Sequence, residues 1–157
     1  MAGVDLTIEA ATMALAMDMA PFMRGEDVAE VRASAGFDPQ EALEASVRWS
    51  AQSYAARFDG ELAAIFGIGP ASFLSGVGIP WLLGTPTLLR HPHTFHRASQ
   101  AFVAAWLDEY TSLEQMVDLR NRVSLRWLKH LGFTIEDPQS WGVERRLFCR
   151  VHIERGN

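Results

Sequence analysis

The stretch from Asp118 to Phe133, DLRNRVSLRWLKHLGF, constrains the fold more tightly than any other part of the chain. Val123, Trp127, Leu128 and Leu131 recur at spacings of four, one and three, which puts them on one stripe of a helix. Arg120, Arg122, Arg126, Lys129 and His130 occupy the other side and the C-terminal turn, where the helix dipole favours positive charge. Gly132 supplies the left-handed residue that ends a helix, and Phe133 returns the chain to apolar surroundings. Glu114 to Leu119 reads as a strand ahead of it, so the unit is strand, Asn, helix, Gly-Phe, strand.

At 157 residues and 48% hydrophobic, the chain has material for one sizeable core, and residues 1–157 are read as a single domain. Its single cysteine, Cys149, can form no disulfide within the chain and sits in the apolar run LFCRV, where it reads as a small buried hydrophobe. No apolar run reaches the roughly 20 residues of a membrane helix. The net charge of −5 is uneven: residues 1–60 hold ten acids against four arginines. That acidic half reads as a solvated helical surface, and with no continuous basic stripe outside the last helix a nucleic-acid role is disfavoured.

In chain order, Val4 to Ile8 alternates as a first strand, and a methionine-rich helix follows from about Ala10 to Ala20. Gly25 to Ala35 carries acids in its first turn and predicts a second helix ended by Gly36. Asp38-Pro39-Gln40-Glu41 holds a capping box with proline at the first helical position, and predicts a third helix to about Ser50. Tyr54 to Phe58 and Glu61 to Gly69 flank Asp59-Gly60, a two-residue hairpin turn. Ile79 to Leu83 reads as a buried strand without an ionisable side chain. A helix from about Thr94 to Tyr110 follows, with Ala98, Phe102, Ala105 or Trp106, and Tyr110 inward. Phe133 to Ile135 and Leu147 to Ile153 make a final antiparallel pair joined by a polar loop. His91, His93 and His96 at a helix entrance read as exposed polar residues, because no carboxylate or thiol nearby completes a metal set.

Asn121 at a strand end, Ser124 three positions on, and the Leu131-Gly132-Phe133 ending together resemble the GNAT N-acetyltransferase fold. The segments Pro80 to Thr85 and Asn121 to Phe133 further resemble the GNAT-like proteins of short-tailed phages and prophages related to internal virion protein A. The resemblance implies an α+β, three-layer α/β/α domain with a mixed, mostly antiparallel sheet of about six or seven strands flanked by helices. It also implies that Ile79 to Leu83 is the central strand, whose end splays from its neighbour to admit acetyl-CoA.

Active members follow that strand with a glycine-rich loop whose N–H groups bind pyrophosphate. Here Thr85 to His93 has no glycine and two prolines, Pro86 and Pro92. Such enzymes often carry a tyrosine acid seven residues after the motif Asn, a position held here by Leu128. These two departures lead to the expectation of a phage virion or assembly protein without a cofactor or catalytic residues. Its partners would be other phage structural proteins or copies of itself, in the host cytoplasm or the virion. The alternative is a divergent N-acyltransferase that holds acetyl-CoA or CoA through Arg90, Arg97 and Asn121.

Overall fold

The computed structural model describes residues 3–156. Strand β1 (Leu6–Ala10) leads into helices α1 (Met13–Met19), α2 (Gly25–Ala35) and α3 (Pro39–Trp49), and then into the hairpin of β2 (Gln52–Phe58) and β3 (Glu61–Pro70). Next come β4 (Val77–Gly84), α4 (Pro92–Glu109), β5 (Ser112–Asp118) and α5 (Arg122–His130). Three strands close the chain: β6 (Thr134–Ile135), β7 (Gln139–Trp141) and β8 (Arg146–Glu154). All eight strands belong to one sheet in the order β1-β2-β3-β4-β5-β8-β6, with β7 also on β8. The pairings are antiparallel except that of β4 with β5.

Local chemistry explains the element ends. Asp38 Oδ1 accepts the Glu41 N–H at 2.8 Å and Glu41 Oε1 accepts the Asp38 N–H at 3.2 Å, so α3 starts on a complete capping box. The β2–β3 turn needs two positive φ angles, which Asp59 (49°) and Gly60 (86°) provide. Gly132 has φ 100°, and the following Phe133 N–H returns to the Leu128 carbonyl at 3.1 Å to close α5.

Successive residues of a strand point to opposite faces, and β3 shows the result. Ile65 packs with Met19, Leu43, Ala55 and Leu83 beneath α1–α3, whereas Phe66 packs with Trp106, Leu113, Val117, Phe133 and Val151 beneath α4 and α5. The expected α/β/α layering is therefore present, with one strand more than six or seven.

The added strand is β7, in the stretch read from sequence as a polar loop. Its Gln139, Ser140 and Trp141 are exposed and pair only with one end of β8, so no alternation announces them. On α4, Trp106 is the buried one of the pair Ala105 and Trp106. One other expectation is corrected. On α5, Val123 is exposed and the inward face runs through Leu125, Leu128 and Leu131, because steps of three satisfy helical periodicity as well as the step of four from Val123 to Trp127.

Gly67 marks a close approach between β2 and β3. A Cβ there would lie 2.3 Å from the Gln52 carbonyl oxygen and 3.0 Å from Ser53 Cα, both backbone atoms that cannot swing aside. Gly67→Ala is expected to destabilise the chain by about 1–3 kcal/mol, read as a lower urea midpoint at unchanged m-value.

Candidate functional site: a parted sheet closed by helix α2

β4 and β5 pair only at Val77 with Ser112 and Gly78 with Leu113, then diverge. The cause is local. Pro80 has no N–H to continue the ladder, and the Gln115 side chain takes over the bonds that a neighbouring strand would make. Its Nε2 donates to the Pro80 carbonyl at 2.8 Å, and its Oε1 accepts the Met116 N–H at 2.8 Å. Sequence reading missed Gln115, since a glutamine in a strand carries no local signal for this task.

The wide end of the gap is closed by α2. The Arg24 N–H donates to the Gly84 carbonyl at 2.8 Å, and Asp27 Oδ2 accepts the Gly84 N–H at 2.9 Å. One helical turn on, Glu30 Oε2 accepts the Asp118 N–H at 2.7 Å. Asp27 and Glu30, three residues apart on one helix face, thus satisfy the last peptides of the two separated strands. With Pro80 and Gly84 facing the gap, strand alternation turns the Leu82 peptide edge into it as well.

Between these ends lies a cavity of ≈ 290 Å³. It passes through the parted sheet, bordered by Trp81, Leu82 and Leu83 of β4, Gln115 to Val117 of β5, and aromatic side chains of α4 and α5. Phe95 and Trp127 bridge α4 and α5 with ring centroids 4.9 Å apart. The Trp127 Nε1–H, buried at this wall, has no acceptor among the described residues. Trp81 and Trp141 border the same cavity. Trp81 is anchored by an Nε1–H donated to Ser50 Oγ at 2.6 Å, and Trp141 by its ring against Phe148.

A charged cluster lies beside the cavity. The buried Arg24 guanidinium donates to Asp27 at 3.2 and 3.3 Å and to the half-exposed Glu26 at 2.9 Å. Asn121 donates its Nδ2 to Asp27 Oδ1 at 3.1 Å and accepts from Arg24 at 3.5 Å. Asp118 is clasped by Arg120 at 2.7 to 3.3 Å, which outweighs desolvation and holds its carboxyl below the usual range. Burial raises the Asp27 pKa against the attraction of Arg24. Glu30 is pushed to about 8, first by desolvation and then by repulsion from Asp27 and Asp118, against the lowering effect of the Asp118 N–H.

The residues singled out from sequence fall in different places. Asn121 is buried in this cluster. Arg90 lies on the short 3-10 turn Pro86–Arg90 and pairs with Glu61 at 2.9 Å, both side chains exposed. Arg97 is exposed on the second turn of α4. Among the described residues no hydrogen bond or ion pair joins the three. Leu128, at the position of the missing tyrosine, borders the cavity. His91 is turned into packing against Phe58, with centroids 5.1 Å apart, and no three His, Cys, Asp or Glu side chains among the described residues could hold a metal ion.

No protein-family model matches the chain, and no curated protein matches it in sequence. Solved structures match its fold over nearly its full length. An acetyltransferase of the GNAT family from Streptococcus pneumoniae superposes with a TM-score of 0.63 at 14% identity, covering 97% of this chain and 100% of that one.

The chain has a GNAT-like fold.

The yncA protein of Salmonella typhimurium, solved with its cofactor acetyl-CoA, matches at TM-score 0.65 and 16% identity over 97% of this chain and 95% of its own. Spermidine N-acetyltransferase from Vibrio cholerae, in complex with CoA and spermine, matches at 0.69 and 10% over 96% and 95%. These bound molecules overturn the expectation that a chain of this GNAT-like fold is built without a cofactor. That expectation rested on the missing glycines of one loop and on Leu128 at the tyrosine position.

Proposed function

We propose that this chain is a divergent CoA-dependent N-acyltransferase. The observation that carries the reading is the parting of β4 from β5 around a continuous cavity, in a fold whose similar structures hold CoA or acetyl-CoA. The cavity wall fits an amide-bearing arm: the Leu82 peptide edge faces the gap, and the Trp127 indole N–H there lacks an acceptor. Two peptides of the loop cannot donate to phosphates, since Pro86 has no N–H and the Thr85 N–H is spent on Ala63. Arg90 and Arg97 are the side chains assigned to the phosphates. Asn121, with its amide engaged by Arg24 and Asp27, acts by holding the mouth of the gap.

When bound, the CoA thioester would supply the activated acyl group. The protein's own part is to orient an acceptor in a largely apolar cavity and to manage its proton. Leu128 cannot protonate a leaving thiolate, so that proton comes from elsewhere.

A second reading, a phage virion or assembly protein acting through contacts with other structural proteins or with copies of itself, is favoured by one observation. Phe73 and Leu74, at the tip between β3 and β4, are essentially fully exposed, at 101% and 97%.

Thermal unfolding with millimolar acetyl-CoA or CoA separates the readings. At a hundredfold excess over the dissociation constant a ligand stabilises the native state by about 2.7 kcal/mol. For a domain of this size that is a midpoint rise of about 5–10 °C. Arg90→Ala and Arg97→Ala, both exposed, are expected to reduce the rise without changing the unliganded midpoint. An unmoved midpoint would leave the assembly reading.

A further inference from the structure

Among the described residues Glu30 is the one ionisable side chain that borders the cavity; the others that border it are apolar or neutral. The surfaces around it are aromatic and aliphatic: Trp81, Phe102, Trp106, Met116, Trp127 and Phe133. A volume of ≈ 290 Å³ suits a small organic molecule. The residue is partly accessible by area yet strongly desolvated, and it lies among the apolar residues that border the cavity.

The neighbouring charges make Glu30 the odd member. Arg24 and Asp27 at the start of α2 neutralise one another, as do Asp118 at the end of β5 and the following Arg120. Glu26, the other partner of Arg24, is half exposed and solvated. From β4 no charged side chain faces Glu30. The cluster is thus balanced when Glu30 carries its proton, and an ionised Glu30 calls for one more positive charge from the cavity side.

We propose that the cavity binds an apolar primary amine, the acceptor of the transfer, with its ammonium against Glu30, and that Glu30 takes the ammonium proton. In that step the N–H bond breaks, its electron pair stays on nitrogen, and the proton becomes the acid proton of Glu30. The product is a neutral amine, the nucleophilic form that acyl transfer requires. This assignment rests on the acyltransferase reading for its chemical purpose, but amine binding does not depend on a thioester. Burial that holds the Glu30 pKa at about 8 gives a base matched to neutral pH.

The test is isothermal titration calorimetry of the whole chain with phenethylamine, without any thioester, in buffers of different ionisation enthalpy. At pH 7 Glu30 starts protonated and must ionise to pair with the ammonium, so binding is expected to release close to one proton. At pH 9 the release should fall towards zero. Glu30→Gln, which still accepts the Asp118 N–H and so preserves the fold, should weaken binding at least tenfold and abolish the release. Ala98→Leu, which fills the cavity and leaves Glu30 in place, should also block binding. Phenethyl alcohol, of the same shape without the charge, should bind without proton release.

Equal amine binding by the wild type and Glu30→Gln, or no amine binding at all, would overturn the assignment. If CoA raises the midpoint while amines fail to bind, the acceptor inference falls and the acyltransferase reading stands. If amines bind through Glu30 while CoA has no effect, the reverse holds.

Discussion

Asp27→Ala is expected to cost about 3–5 kcal/mol, a large part of the roughly 5–15 kcal/mol that holds a domain of this kind together. Three groups lose their partner at once: the buried Arg24 guanidinium, the Gly84 N–H and the Asn121 amide. The arginine decides the magnitude. A guanidinium cannot shed its proton at any accessible pH, so it stays charged in a desolvated site with the half-exposed Glu26 as its remaining charged partner. Arg24→Met should cost less, because the Asp27 carboxyl, already raised in pKa by burial, can neutralise itself by taking a proton. Urea unfolding at pH 7 measures both variants. Equal losses for the two would show that the hydrogen bonds to Gly84 and Asn121, rather than the stranded charge, dominate the cluster.

The same cluster shows what could be read from the chain alone. The capping box at Asp38 and Glu41, the Asp59-Gly60 turn and the Gly132 end of α5 were legible, because each depends on residues within a few positions of one another. Asp27 and Glu30 were read as part of a solvated acidic face. Acids in the first turns of a helix are favoured there by the dipole whether or not they are buried, and nothing local says that α2 lies across the ends of β4 and β5. The gap itself was expected from the family resemblance, but its builder Gln115 acts on Pro80 from another strand. Asn121 was picked out for a ligand, and its amide is engaged within the protein by partners 97 and 94 residues away.

Glu30 should make the chain lose stability as the solution becomes more alkaline, in a range where most domains change little. Its folded pKa of about 8 lies above the unfolded value of 4.5, so the folded state holds a proton that the unfolded chain releases. The stabilisation is complete below pH 4.5 and declines as pH rises, until it is gone above about 8. Each pH unit inside that window removes about 1.4 kcal/mol, and the whole window is worth on the order of 5 kcal/mol. Asp27, also raised, adds a slope of the same sign, whereas Asp118 is lowered and costs stability only as pH falls below the ordinary carboxylate range. The most stable pH should therefore lie near 5. In Glu30→Gln the alkaline slope should be reduced to the share of Asp27, leaving the variant about as stable as the wild type at pH 5 and several kcal/mol more stable at pH 9. Urea unfolding across pH 5 to 9 reads both curves, and parallel curves would mean that Glu30 titrates as a solvated carboxyl. A stability deficit confined to neutral and alkaline pH, and removed by one amide, is what a buried base kept for an incoming ammonium would cost the fold.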